Sequence, residues 1–317
     1  MTSSITENDA AELRRRHYNA RVVDVDRVHD DLMLLRVEPD EGPPKFAAGQ
    51  YSVLGLGYWE PRVPHTQSEE LAEGQLRTLI RRAYSVCCPL LGQNGQLRRV
   101  WDGPELEFFI TLVRQAEARP PALTPRLFAL APGDRLFLAP HFHGRYTLDR
   151  VEPHHDVLFL ATGTGEAPHN AMLAELLASG HQGRIGSLNC VRYRRDLAYL
   201  ATHRELERRY ANYRYLPLTT REAENLDPGA PGYVGKRYLQ EYFESGDLVR
   251  DLGWTPSPQT THVYLCGNPD MIGVPLHTHD PARRYPQPTG MVELLERRGF
   301  QVDQPHEPGN IHFERYW

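Results

Sequence analysis

"DVLFLATGTGEAPHNAMLAELLASG", residues 156–180, decides the fold. Its apolar run Val157–Ala161 reads as a buried strand, and a glycine-rich turn and then a helical pattern follow. Gly163 and Gly165 let the backbone turn tightly and approach a ligand closely. Pro168 suits the first turn of a helix, where its missing N–H costs nothing. A helix that starts after such a turn offers free N–H groups and the positive end of its dipole to a pyrophosphate. A GxG turn alone serves equally as an ordinary strand-to-helix loop. The order strand, TGTG, AP, helix is more specific.

Downstream, the alternation continues. "RIGSLNCVRY" (184–193) is strand-like and "LAYLATHRELERRY" (197–210) helical. "YRYLPLTTRE" (213–222) is again a strand, "KRYLQEYFESG" (236–246) a helix and "THVYLCGNPDMI" (261–272) a strand running into a turn. Strands alternating with helices imply βαβ units on a parallel sheet. Upstream, the rhythm differs. "ARVVDVDRVHDDLMLLRVE" (20–38) alternates in strand fashion around a turn at His29–Asp31. "FAAGQYSVLGL", "RRAYSVCCP", "LEFFITLV", "DRLFLAP" and "RYTLD" follow as short strands broken by Gly and Pro. Such spacing suggests a barrel or sandwich. The expected fold is therefore an N-terminal antiparallel β-barrel over 18–151, with a polar insertion at about 57–79, then a Rossmann-like parallel α/β domain over 152–317. Residues 1–17 read as a polar tail or a short helix.

The length of 317 residues agrees with two domains. No apolar run approaches the roughly 20 residues needed to cross a bilayer. The N-terminus carries no apolar stretch of the kind a secretory signal has. The four cysteines have no zinc or iron–sulfur spacing. A cytoplasmic monomer is expected, without membrane insertion. The net charge of −5 gives no global basic field, so nucleic acid is not an expected partner. Of the 36 basic residues only Lys45 and Lys236 are lysine, and Arg is the better phosphate clamp. The pairs His141/His143, His154/His155 and His277/His279 sit in loop-like surroundings with no converging carboxylates, so no metal is expected.

Several residues carry candidate chemistry. Arg192 and Arg221 each stand just past the end of an α/β strand, where open sheets bind ligands. Two guanidinium groups there suit a 2′-phosphate and favour NADP over NAD. Lys236 and Arg237 could join them. In "CGNP", Gly267 and Pro269 make a tight turn that would bring Cys266 to the sheet edge. Cys266 is then either a small residue packed on a helix or a thiol beside a nicotinamide. In the barrel, "RAYS" sends Arg82 and Tyr84 to one face of a strand and Ser85 to the other. Thr124 could cap a short helix and touch phosphate.

RAYS (82–85), TGTGxAP (162–168), VRY (191–193), TRE (220–222), CGNPxM (266–271) and the aromatic end Tyr316–Trp317, in this order, resemble the ferredoxin–NADP reductase family, in particular the bacterial flavodoxin/ferredoxin–NADP reductases. "FAAGQY" (46–51) is similar to an early barrel strand of that family. The resemblance implies a barrel that binds FAD and an α/β domain that binds NADP(H). For FAD it implies Arg82, Ala83, Tyr84 and Ser85, the segment Phe109, Ile110, Thr111 and Val113, and Thr124. It also implies Thr164, Tyr316 as a cover on the flavin's re face, and Trp317 by the adenine. For NADP it implies Gly163, Thr164 and Gly165 at the pyrophosphate, Arg192 and Arg221 at the 2′-phosphate, and Lys236 or Arg237 as a third contact. Cys266, Gly267 and Asn268 fall on the nicotinamide side. Ser85, Cys266 and Tyr316 are the expected catalytic residues.

The implied function is a FAD-dependent oxidoreductase moving electrons between NADPH and a ferredoxin or flavodoxin. The alternative is an NADPH diaphorase or flavin reductase of the same architecture. An acidic carrier would need a local basic patch, for which Arg14–Arg16, Arg81, Arg98, Arg99, Arg283 and Arg284 are candidates. Three features depart from the family pattern: the insertion at 57–79, the long stretch 272–290 after CGNP, and Glu166 where an apolar residue is common. A carboxylate there would repel a pyrophosphate, so Glu166 is expected to point away, at some cost in NADP affinity.

Overall fold

The computed structural model describes residues 5–42, 45–275 and 285–316. The chain divides into two compact units. One holds residues up to Cys88 together with Arg98–Arg145, and the other holds Pro89–Leu97 together with Tyr146 onward.

The first unit is a six-stranded antiparallel sheet. It contains α1 (Glu7–His17), β1 (Ala20–His29), β2 (Leu32–Pro39), β3 (Tyr51–Gly57), β4 (Leu79–Ser85), β5 (Leu106–Thr111), α2 (Thr124–Leu127) and β6 (Arg135–Leu138), with strand order β4-β3-β6-β1-β2-β5. A bridge between Cys87 and Glu107, with the Cys87 N–H donating to the Glu107 carbonyl at 2.8 Å, links the residues after β4 to β5 and closes the barrel. The interior takes Val22, Met33, Leu35, Leu54, Leu56, Phe108 and Leu136, all fully buried.

The segment before the barrel folds as α1. Thr6 caps it and Asp9 returns the bond to the Thr6 backbone. Arg14 makes a two-pronged ion pair with Glu60 at 2.9 Å on each prong. The Tyr18 hydroxyl donates to the same carboxylate, and Trp59 stacks on Tyr18. The polar stretch 57–79 is thus anchored: Glu60 holds α1, while Glu69 pairs with Arg62 and with the buried Arg126 of α2. "RYTLD" (145–149) does not form a strand. Its Tyr146 and Thr147 are buried in the second unit, where the Tyr146 hydroxyl meets His169 at 2.7 Å and the Thr147 carbonyl accepts from Tyr264.

The second unit is a five-stranded parallel sheet of order β11-β10-β7-β8-β9. Its elements are β7 (Asp156–Thr162), α3 (Glu166–Ala178), β8 (Ile185–Val191), α4 (Leu200–Arg209), β9 (Tyr213–Thr219), α5 (Ala223–Leu226), α6 (Leu239–Glu244), α7 (Asp247–Leu252), β10 (Thr261–Gly267), α8 (Pro269–Ile272), α9 (Met291–Glu296) and β11 (Ile311–Arg315). The sheet's two faces differ. Leu158, Leu160, Leu188, Val263 and Leu265 pack against α6 to α9 in one apolar cluster. The other face carries rings. Phe159 lies against His169 of α3, and Tyr213 and Tyr215 lie against His203 of α4. Buried polar groups of this kind persist when hydrogen-bonded. The Tyr146, Tyr213 and Tyr264 hydroxyls all are. Among the described residues no helix is long and apolar enough to cross a membrane.

Candidate functional site

In the second unit, the carboxyl ends of β7 and β10 are knitted into one backbone surface. A 3-10 turn, Gly163–Gly165, joins β7 to α3. A Cβ on Gly165 would lie 2.3 Å from the Cys266 carbonyl oxygen, and one on Gly267 would lie 2.2 Å from Thr162 Oγ1. Both distances are shorter than real Cβ contacts, so glycine is obligatory where the two loops touch. The Asn268 N–H donates to Thr162 Oγ1 at 2.8 Å and completes the seam. The Asn268 side chain itself caps α8 through the Asp270 N–H. Gly163 has φ 55° and faces open space. No side chain caps α3, and the N–H of its first residue, Glu166, donates back to the carbonyls of the Gly163–Gly165 turn. These are features a pyrophosphate fits.

Next to this cradle the ends of β8 and β9 meet. The Arg192 carbonyl accepts from the Arg221 N–H at 2.8 Å and from the Thr220 N–H at 3.4 Å. Both Arg side chains are exposed, and neither makes an ion pair among the described residues. The backbones of two exposed arginines are thus joined at one end of the sheet. Of the two third-contact candidates, Arg237 is tied to Asp247 by an ion pair. Lys236 is exposed, its ammonium 4.8 Å from the Tyr238 ring centroid.

Cys266 is fully buried. It is not exposed at the sheet's edge, because β10 lies between β7 and β11. Burial, and then the facing Glu314, push its thiol well above the ordinary range, so it is not a thiolate at neutral pH. Tyr316 extends past β11 over the seam. Its N–H donates to the Gly267 carbonyl at 3.3 Å, and its hydroxyl donates to the Thr164 carbonyl at 3.2 Å. Trp317 lies outside the described residues, as do His277, His279, Arg283 and Arg284.

In the first unit, β4 pairs among the described residues only with β3, in the register Tyr51↔Ser85, Ser52↔Tyr84 and Val53↔Ala83. Arg82 and Ala83 are exposed, Tyr84 is half-buried and Ser85 is buried. The Arg82 guanidinium donates to the Arg81 carbonyl at 2.8 Å. Phe109 and Ile110 are buried in β5, while Thr111 and Val113 are exposed. Thr124 is not a helix cap: it is the first residue of α2, and its hydroxyl accepts from the Val113 N–H at 3.1 Å. The side chain therefore fixes the strand's exit rather than the helix.

Glu166, as expected, turns away from the loop, and it is 3% exposed. Its Oε1 accepts from the Tyr215 hydroxyl at 2.7 Å and faces His203 Nε2 at 3.1 Å. The sequence carried no signal for these partners, 37 and 49 residues away. The histidines also converge more than the sequence suggested. Glu152, His154 and His155 place one potential ligand atom each within 4.8 Å of one another, though Glu152 and His154 are exposed. His262 and His312 stack and share a hydrogen bond of 3.0 Å, and burial draws both pKa values down to about 4.

Residues 159–274 match the oxidoreductase NAD-binding domain. The flavodoxin/ferredoxin–NADP reductase of Escherichia coli K12 is 31% identical over 80% of this chain and 85% of its own. That of Buchnera aphidicola (strain Bp) is 23% identical over 94% of this chain and 98% of its own. A ferredoxin–NADP+ reductase from Neisseria gonorrhoeae, solved with FAD and NADP bound, superposes with a TM-score of 0.69 at 20% identity, over 94% of this chain and 97% of that one, a likeness of fold. Taken with the glycine cradle and the paired arginines, these matches establish that the chain belongs to the flavodoxin/ferredoxin–NADP reductase family.

Proposed function

We propose that the chain is a FAD-dependent reductase that moves electrons between NADPH and a one-electron carrier, a ferredoxin or a flavodoxin. The observation that carries the NADPH half is the meeting of Arg192 and Arg221 beside the loop cradle. Gly163, Thr164 and Gly165 receive the pyrophosphate on backbone N–H groups. The guanidinium pair takes the 2′-phosphate, with Lys236 as third contact. Cys266 and Gly267 shape the floor on the nicotinamide side. The buried thiol acts there as a compact neutral side chain and not as a nucleophile. Tyr316 rests on this seam, so an entering nicotinamide has to displace it.

On the first unit, Arg82, Tyr84 and Ser85 form the flavin strand. Arg82 is suited to phosphate, and the backbone from Phe109 to Val113, fixed by Thr124, borders the ring. The flavin, when bound, supplies the step between two-electron hydride chemistry and one-electron transfer. The protein's own groups hold, orient and exclude water. The carrier is an acidic protein. Arg14, Arg98 and Arg99 are paired with carboxylates. Arg16 and Arg81 both lie near enough to His17 to help lower its pKa, after its own burial. They are the basic pair that an acidic carrier would meet.

Reduction of a ferredoxin and of a flavodoxin by the purified protein with NADPH is the test. Turnover that falls as salt rises supports the reading. Brisk reduction of small acceptors with neither carrier reduced would make it a diaphorase.

A further inference from the structure

The stretch 57–79, which departs from the family pattern, grips a connection of the first unit by both limbs. That connection, 112–123, runs from the end of β5 to the start of α2. Gln67 takes the first limb. Its N–H donates to the Arg114 carbonyl at 2.8 Å, and its Oε1 accepts from the Ala116 N–H at 3.0 Å. Arg62 and Val63 take the second limb and α2. The Arg62 guanidinium donates to the Pro121 carbonyl at 3.1 Å, and the Val63 N–H donates to the Pro125 carbonyl at 3.0 Å. The two grips are tied to each other, because Arg62 also donates to the Gln67 carbonyl at 2.7 Å. Glu69 locks them. Its carboxylate pairs with Arg62 at 3.2 Å and with the buried Arg126 of α2. Arg126 donates in turn to the Ala122 carbonyl at 2.7 Å and to the Tyr58 carbonyl at 2.9 Å. An exposed connection between elements is mobile by default, and residues 115–119 are all exposed. Here both limbs are fixed from one side.

The fixed segment is the one assigned above to the flavin. It begins at Val113, whose N–H donates to Thr124 Oγ1 at 3.1 Å, and that bond closes the connection at its base. A binding loop that must be ordered on each encounter loses affinity to the cost of ordering, whereas a loop held in advance does not. We propose that the stretch 57–79 is a brace that holds this connection in its flavin-binding form, and that Arg62, Gln67 and Glu69 are positioning residues that slow the release of FAD. The proposal rests on the flavin reading above. The three side chains act through the backbone of the connection and need no contact with the cofactor. All of them belong to the first unit, so nucleotide binding by the second unit serves as an internal control.

The test is the rate at which the purified holoprotein gives up FAD after dilution, well below its melting temperature, with the affinity for 2′-phospho-AMP measured beside it. Gln67→Ala removes the bond to the Ala116 N–H and is expected to speed release on the order of threefold, a share of one hydrogen bond. Glu69→Gln leaves two guanidinium groups without their shared carboxylate and is expected to speed it on the order of tenfold. Affinity for 2′-phospho-AMP is expected to stay the same in both. Should Glu69→Gln not fold, Gln67→Ala decides alone. Variants that melt earlier but release FAD at the wild-type rate overturn the positioning role and leave the flavin site standing. Wild type that takes up no FAD overturns the flavin reading, and the brace's role with it.

Discussion

The nucleotide end of the parallel sheet is built in two ways. Between β7 and β10 the surface is backbone, with glycines where any side chain would collide. Beyond β8 and β9 it is side chain, with Arg192, Arg221 and Lys236 projecting from loops. On the proposed reading, the first construction is indifferent to which dinucleotide arrives, and the second reads the one group that separates NADP from NAD. That reading predicts that affinity and selectivity are separable by mutation.

The sharpest way to break this division is Gly165→Ala. Its Cβ would meet the Cys266 carbonyl, a backbone atom that cannot swing aside. Overpacking of this kind costs about 3 kcal/mol of folding stability, so the melting temperature should fall clearly, and because the displaced loop is common to both dinucleotides, NADPH and NADH should weaken together with their ratio unchanged, measured by titration alongside a melting curve. Arg192→Ala or Arg221→Ala should instead weaken NADPH about tenfold each, one charge-assisted contact apiece, and leave NADH untouched. Tyr316→Ala removes the hydroxyl bond to Thr164 and the ring over the seam. NADP+ should then bind about fivefold tighter, since nothing has to be displaced. The smallest effect sharpens the assignment of the third cation. Lys236→Ala should weaken NADPH by about twofold, in keeping with an exposed charge. Arg237→Ala should leave NADPH affinity unchanged and lower the melting temperature, because its partner is Asp247.

The backbone construction was largely legible in the sequence, because glycine and proline punctuation is local. TGTG, AP and CGNP each mark their own turn, and the strands around them follow from apolar runs. The arginines were legible as candidates for the same reason: each follows a strand. What the sequence could not supply were pairings across long separations. Nothing local distinguishes Arg237, neutralised by Asp247, from Lys236. Thr124 reads as a helix cap by type, yet its hydroxyl bonds Val113, because the strand exit lies beside it in space. "RYTLD" alternates like a strand but is held by the side chains of His169 and Tyr264. The N-terminal residues are polar, so they show no core-facing stripe. They are held by ion pairs to the 57–79 stretch instead.

The most direct measurement is the visible spectrum of the purified protein, followed under nitrogen during titration with NADPH and, separately, NADH. A yellow protein bleached by NADPH at far lower concentration than by NADH is expected, with the preference reduced in Arg192→Ala and Arg221→Ala. Equal bleaching by the two nucleotides, or a preference that survives loss of both arginines, would contradict the phosphate clamp. A colourless protein that takes up no FAD would contradict the reductase reading as a whole.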